Sequence, residues 1–152
     1  MPKLIIADTS CFIILSKINE LNLLQNLYEQ VITTSDIAIE FGETLPNWVK
    51  IKSISNKNYQ EILELQIDKG ESSAIALALE TENCIIILDD YKARKIAQKL
   101  SISVTGTIGI IIKAKQIGLI ESIKPILEKI KSTNFRLSKE IENQALILAN
   151  EF

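Results

Sequence analysis

Two short isoleucine-rich runs constrain this chain most: KLIIA at 3–7 and CIIIL at 84–88. β-Branched residues are stiff at χ1 and suit a pleated surface. A run that is apolar at every position, rather than at alternate ones, fits a strand covered on both faces, as in a parallel sheet between helices. VITT at 31–34 and SISVT at 101–105 read as shorter strands, and WVKIKSI at 48–54 alternates like an edge strand. The segments between them have helical patterns: one or two helices in CFIILSKINELNLLQNLYEQ, a short one in SDIAIEFGE closed by Gly42, then YQEILELQ, ESSAIALALETE and YKARKIAQKL. The C-terminal third reads as wholly helical, with Leu137, Ile141, Ala145 and Leu148 as the apolar stripe of its last helix. Strands alternating with helices predict one α/β domain over 1–152 with a mainly parallel sheet.

Both strong runs end on acid: Asp8 after the first, Asp89 and Asp90 after the second. If the two strands are neighbours, all three carboxylates leave the same edge of the sheet, where α/β proteins build their sites. Converging carboxylates repel and raise one another's pKa unless a cation lies among them. Magnesium, which takes a few carboxylates plus water and phosphate, is the usual cation. Taken singly, each Asp reads equally as a helix cap or turn residue. Glu40 lies four residues after Asp36 and shares its helix face. Asp68 and Glu71 have capping-box spacing, so capping and ligation both stay open for Glu71.

The chain of 152 residues contains no histidine. That removes Ser-His-Asp and Cys-His catalysis, histidine general bases and nearly every catalytic zinc site, leaving carboxylates, with or without a metal that prefers oxygen. Cys11 and Cys84 are isolated and suggest small core residues. No apolar run approaches the roughly 18 residues of a membrane span and no leader is evident, so a soluble cytoplasmic protein is expected. The net charge of −2 conceals an asymmetry. Residues 1–91 carry 6 Lys against 14 Asp or Glu, a net of −8, while residues 92–136 carry 10 Lys or Arg against Glu121 and Glu128, a net of +8. Segregation of that kind suggests a polyanionic partner on one side and a cation on the other. Lys92, Arg94, Lys95 and Lys99 follow directly on Asp89 and Asp90, where cations would hold the phosphates of a single strand.

Four features in order carry a resemblance: a strand ending ADTS, the glutamate of SDIAIE, the acid opening GESSAIALALE, and the aspartate of ILDDYKAR. Together they resemble the PIN-domain nuclease family. The longer pattern LDDYKARKIAQKLSISVTGTIGIIIKAKQIGLI is similar to a prokaryotic branch often grouped with VapC-type toxins. The resemblance covers about residues 3 to 150. It implies a three-layer α/β/α sandwich that binds magnesium or manganese and cleaves RNA, occasionally DNA. Carried over, the acidic cluster is Asp8, Glu40, Glu71 and Asp89, with Ser10 in a supporting place and Thr9 beside it. Glu71 stands where most of the family has aspartate, and the position after the strand is shared between Asp89 and Asp90, with Asp89 preferred. Asp8 and Asp89, with Asp90 beside them, are then the direct metal ligands, and Glu40 or Glu71 accepts a proton from water. The resemblance further implies a homodimer and a small antitoxin partner. The apolar helices after Asp8, with Phe12, Ile13, Leu15, Leu21, Leu23, Leu24 and Leu27, have surface enough for such a contact or for the core alone. An aspartate-dependent phosphatase would need a second acid where Ser10 stands. The remaining rival is a catalytically degenerate fold that binds RNA or a partner.

Overall fold

The computed structural model describes residues 3–152; the first two residues of the expected domain lie outside the described residues. Its elements run β1 (Leu4–Ile6), α1 (Thr9–Lys17), α2 (Asn22–Leu27), β2 (Gln30–Thr34), α3 (Ser35–Phe41), β3 (Val49–Lys52), α4 (Lys57–Leu63), α5 (Lys69–Leu79), β4 (Cys84–Ile87), α6 (Tyr91–Lys99), β5 (Ser103–Thr105), α7 (Thr107–Gln116), α8 (Lys124–Lys131) and α9 (Lys139–Leu148). All five strands pair in parallel in the order β3-β2-β1-β4-β5. From β1 the chain steps one way to β2 and β3, then crosses back to β4 and β5. Right-handed crossovers therefore place the connections of the two halves on opposite faces, giving a three-layer α/β/α sandwich. The order reverses between β1 and β4, and that is where open α/β sheets form their crevice.

The strand runs behave as their composition dictates. Ile5 and Ile6 of β1 and Ile86 and Ile87 of β4 are fully buried, each worth about 1.5–3 kcal/mol of burial. β3 is an edge strand whose Lys50, Ile51 and Lys52 face outward, and lysine on an edge blocks pairing with another chain. The segment after Asp8 forms two helices, and the core absorbs them. Phe12, Leu15, Leu23 and Leu24 are buried, and Ile13, Leu21 and Leu27 are half-buried. Most of that apolar surface lies inside, and Ile13, Leu21 and Leu27 keep part of theirs exposed.

The C-terminal third departs from expectation in two ways. Turns at 117–123 and 132–138 interrupt it. The packed face of α9 is Glu142, Ala145 and Ala149, whereas Ile141 and Leu148 are 46% and 60% exposed and Leu137 precedes the helix. Small residues one turn apart let α9 lie close against α7, which large side chains would prevent. Glu142 completes that face because Lys131 and Lys139 neutralise it. The chain end is tied down by Glu151, which accepts from the Ser122 hydroxyl, the Ile123 N–H and the Lys115 ammonium. Burial alone would raise the Glu151 carboxyl, but these donors bring it down to about 2.

Candidate active site

β1 and β4 run side by side with Leu4 opposite Cys84 and Ile6 opposite Ile86. Extending that register puts Asp8 level with Leu88, one residue short of Asp89. Asp8 is 4% exposed and caps α1, accepting from the Cys11 N–H at 3.0 Å. One N–H does not compensate a buried carboxylate. Burial, then the charge of Asp89, then that of Glu71 hold the Asp8 carboxyl well above its usual range. Asp8 is thus both a helix cap and part of a cluster of acids.

Asp89 is gripped at both oxygens by one residue. The Thr107 N–H donates at 2.8 Å and the Thr107 hydroxyl at 2.6 Å. This caps α7, whose own N-cap Gly106 has no side chain to offer. A Cβ at Gly106 would sit 2.8 Å from the Arg94 guanidinium and 3.0 Å from the Asp89 carboxylate, so any side chain there would push both groups aside. The neighbouring Asp90 instead caps α6, accepting from the Ala93 N–H at 3.0 Å.

Glu40 and Glu71 reach the same edge from α3 and α5. The Thr9 hydroxyl donates to Glu40. Asp68 caps α5 by accepting from the Glu71 N–H at 2.8 Å, as the capping-box spacing anticipates. Glu71 has its carboxyl pushed up to about 7 by burial and then by the charges of Asp68 and Asp90. Gly70 leaves room for the end of the Glu40 side chain. A Cβ at that position would lie 2.7 Å from a Glu40 oxygen. Behind these acids, Thr34 caps α3 and meets Ser73 of α5 through their hydroxyls at 2.6 Å. Asp8, Thr9, Ser10, Glu40, Asp68 and Glu71, floored by Ile13 and Ile14, line one cleft of about 300 Å³.

The expected site residues therefore fall into two groups. Asp8, Glu40 and Glu71 share the cleft with Thr9 and Ser10, and Asp89 lies next to Asp8 within reach of its charge. Lys92, Lys95 and Lys99 stand exposed on α6, but Arg94 turns inward and donates to the Leu88 carbonyl at 3.0 Å. The charge segregation seen along the chain is only partly a segregation in space. Lys115 pairs with Glu151, Lys129 with Glu20, and Lys131 with Glu128 and Glu142, while Lys113 lies over the Tyr28 ring. Two contributors were not read as site residues from sequence. Asp68 is legible in the sequence only as a cap, and the bonds of Thr107 to Asp89 are not legible there, because they depend on β5 lying beside β4.

The donor set suits a hard divalent cation: carboxylate oxygens only, one of them deeply buried beside uncompensated negative charge. As the side chains stand, no three Asp, Glu or Cys among the described residues converge closely enough to hold a metal ion. The oxygens are turned onto the Cys11 N–H, Thr9 and Thr107, so ligation requires side-chain rotation within the cleft.

A parallel α/β/α sandwich with acids gathered at its switch point defines an acidic-site α/β domain. The chain belongs to the PIN-domain family: the family model DUF3368 (PIN domain) matches residues 4–151. Membership brings a nuclease-type, hydrolytic function and nucleic acid as the class of partner. No curated protein and no solved structure matches the chain at a significant level. Among the described residues, no helix is long and apolar enough to cross a membrane.

Proposed function

We propose that this protein is a metal-dependent endoribonuclease, using magnesium or manganese to hydrolyse phosphodiester bonds, and that it serves as the toxin of a toxin–antitoxin pair. The observation that carries the nuclease reading is the placement of Asp8 and Asp89 at the ends of adjacent parallel strands, with Glu40 and Glu71 reaching the same edge. Asp8 and Asp89, with Asp90 nearby, would hold the cation. When bound, it supplies charge neutralisation at the phosphate and lowers the pKa of water. The chain's own residues do the rest. Glu71, with a carboxyl near 7, is matched to accept a proton from water close to neutral pH. In the metal-free chain Thr9 holds Glu40 and Thr107 holds Asp89, and Asp89 would turn from Thr107 to reach the cation. The lysines of α6 hold substrate phosphates beside the cleft.

The toxin role, the small antitoxin partner and a homodimer are supported by the similarity of the segment from Leu88 to Ile120 to the VapC-like branch. A cytoplasmic location is consistent with that role. A second reading, a catalytically degenerate fold that binds RNA or a partner, is favoured by the absence of three converged acids among the described residues. One experiment separates the two. Wild type and Asp8→Asn are incubated with structured and single-stranded RNA in magnesium, and magnesium uptake is followed by calorimetry. Cleavage and uptake by wild type, both lost in a folded Asp8→Asn, support the nuclease; a wild type as inert as the variant overturns it.

A further inference from the structure

Tyr91 opens α6 and is 72% exposed, while the helix buries Ala93 and Ala97 on its other side. It follows Asp89 by two residues, so the two backbones are at most about 7 Å apart. Lys95, one turn on, holds its ammonium 5.1 Å from the centre of the Tyr91 ring. Lys92 and Lys99 lie on the same exposed side. Lys115, Lys129 and Lys131 of the basic segment are engaged in ion pairs, whereas among the described residues Lys92, Lys95 and Lys99 pair with no carboxylate. A single exposed tyrosine is ordinary surface. This one has a cation on its ring, two further unpaired cations beside it, and the acidic cleft next to it.

These groups have complementary uses. The cleft is lined by acids and aliphatic side chains and has no aromatic surface of its own. Acids alone repel phosphate, so a polyanion needs a hold outside the cleft. Lysines give that hold without regard to sequence. A tyrosine ring offers a π-face to any base that is not already stacked, and a base stacked on an aromatic side chain gains roughly ten-fold in affinity. A base inside a duplex has no face to give.

We infer that Tyr91 and Lys95 form a stacking platform for one unpaired base of a single-stranded nucleic acid, whose phosphates lie along Lys92 and Lys99 beside the acidic cleft. This rests on the nuclease reading above and adds to it a preference for unpaired substrate. The phenol hydroxyl plays no part; the ring does.

The test is binding of a fluorescein-labelled single-stranded RNA of roughly 12 nucleotides, within the range of single-strand site sizes, by fluorescence anisotropy in EDTA so that no cleavage occurs. Tyr91→Leu weakens binding about ten-fold and leaves the dependence on salt unchanged, whereas Tyr91→Phe binds as wild type does. Lys95→Gln weakens binding and lowers the salt slope by about 0.7. One abasic position in the RNA weakens wild type to the level of Tyr91→Leu and leaves that variant indifferent. On a duplex of the same sequence, Tyr91→Leu and wild type bind alike. Circular dichroism confirms that the variants are folded, as expected for an exposed side chain. Wild type and Tyr91→Leu binding the single strand equally, or Tyr91→Leu responding to every abasic position as wild type does, overturns the platform alone. A wild type without affinity for any RNA overturns the nuclease reading and the platform with it.

Discussion

Thr34 and Ser73 are joined by a buried hydroxyl-to-hydroxyl hydrogen bond of 2.6 Å, and its direction follows from the neighbours. Thr34 accepts from the Ile37 N–H at 3.2 Å, and Ser73 donates to the Gly70 carbonyl at 2.7 Å. Each hydroxyl has one proton, so Thr34 donates to Ser73. The chain of bonds runs from the start of α3 to the residue before Glu71, tying together the helices that carry Glu40 and Glu71. Thr34→Val and Ser73→Ala are each expected to destabilise the fold by about 1–2 kcal/mol. In urea unfolding, the double variant should lose less than the sum of the two, with a coupling of about 1 kcal/mol. Strict additivity would mean that the two hydroxyls act separately.

Gly70 separates fold from function. An added methyl at this position meets the far end of the flexible Glu40 side chain, 2.7 Å away, and not backbone. Gly70→Ala should therefore change stability by less than about 1 kcal/mol, since alanine also restricts the unfolded chain. Glu40 must swing off the Thr9 hydroxyl to make room. Ribonuclease activity is expected to fall at least roughly ten-fold, the scale of a misplaced supporting group, while the melting temperature holds. Equal activity in the variant would remove Glu40 from the machinery.

The pH dependence of the metal-free protein has a definite sign. Glu71 titrates near 7 when folded, against 4.5 when unfolded, and Asp8 is shifted in the same direction. Between those values the folded chain binds more protons than the unfolded one. Its stability is therefore full below about 4.5 and declines as pH rises through about 7, by on the order of 2 kcal/mol for Glu71 after allowance for its partial exposure. Urea unfolding at pH 5 and pH 8 should show the decline in EDTA, and Glu71→Gln should lessen it, leaving the part that belongs to Asp8. Millimolar magnesium should restore stability at pH 8, where the carboxylates are ionised. A wild type more stable at pH 8 than at pH 5 in EDTA would contradict the clustering of acids.

Ser72 stands between Glu71 and Ser73, fully buried, and among the described residues its hydroxyl has no hydrogen-bond partner. Unpaired buried hydroxyls cost about 1–3 kcal/mol. Ser72→Ala removes that cost without opening a sizeable cavity and suits a helix interior better. The variant is expected to unfold about 1 kcal/mol later in urea with cleavage unchanged. A less stable variant would show that the hydroxyl has a partner in solution.

The elements best read from sequence are those with one dominant signal. KLIIA and CIIIL could be strands of little other than a two-sided parallel sheet, and placing Asp8 and Asp89 together needed only the strand-end rule and their being neighbours. Asp68 with Glu71 was legible as a cap because that geometry is local. What depended on neighbours distant in sequence was not legible. Thr107 meets Asp89 across eighteen positions, only because β5 returns beside β4. The buried face of α9 is chosen by Ala145 and Ala149, whose small size permits close approach, and hydrophobic periodicity favours the larger Ile141 and Leu148 instead. The basic segment looked uniform in sequence, yet folding divides it between lysines spent on internal ion pairs and those left free on α6.

The middle position of β1, between β2 and β4, carries a consequence for how the molecule comes apart. Fraying begins at the margins, β3 and β5, and neither strand determines the spacing of Asp8 from Asp89. Loss of β3 would leave the pairing of β1 with β4 intact, whereas loss of β5 would also free Asp89 from the grip of Thr107.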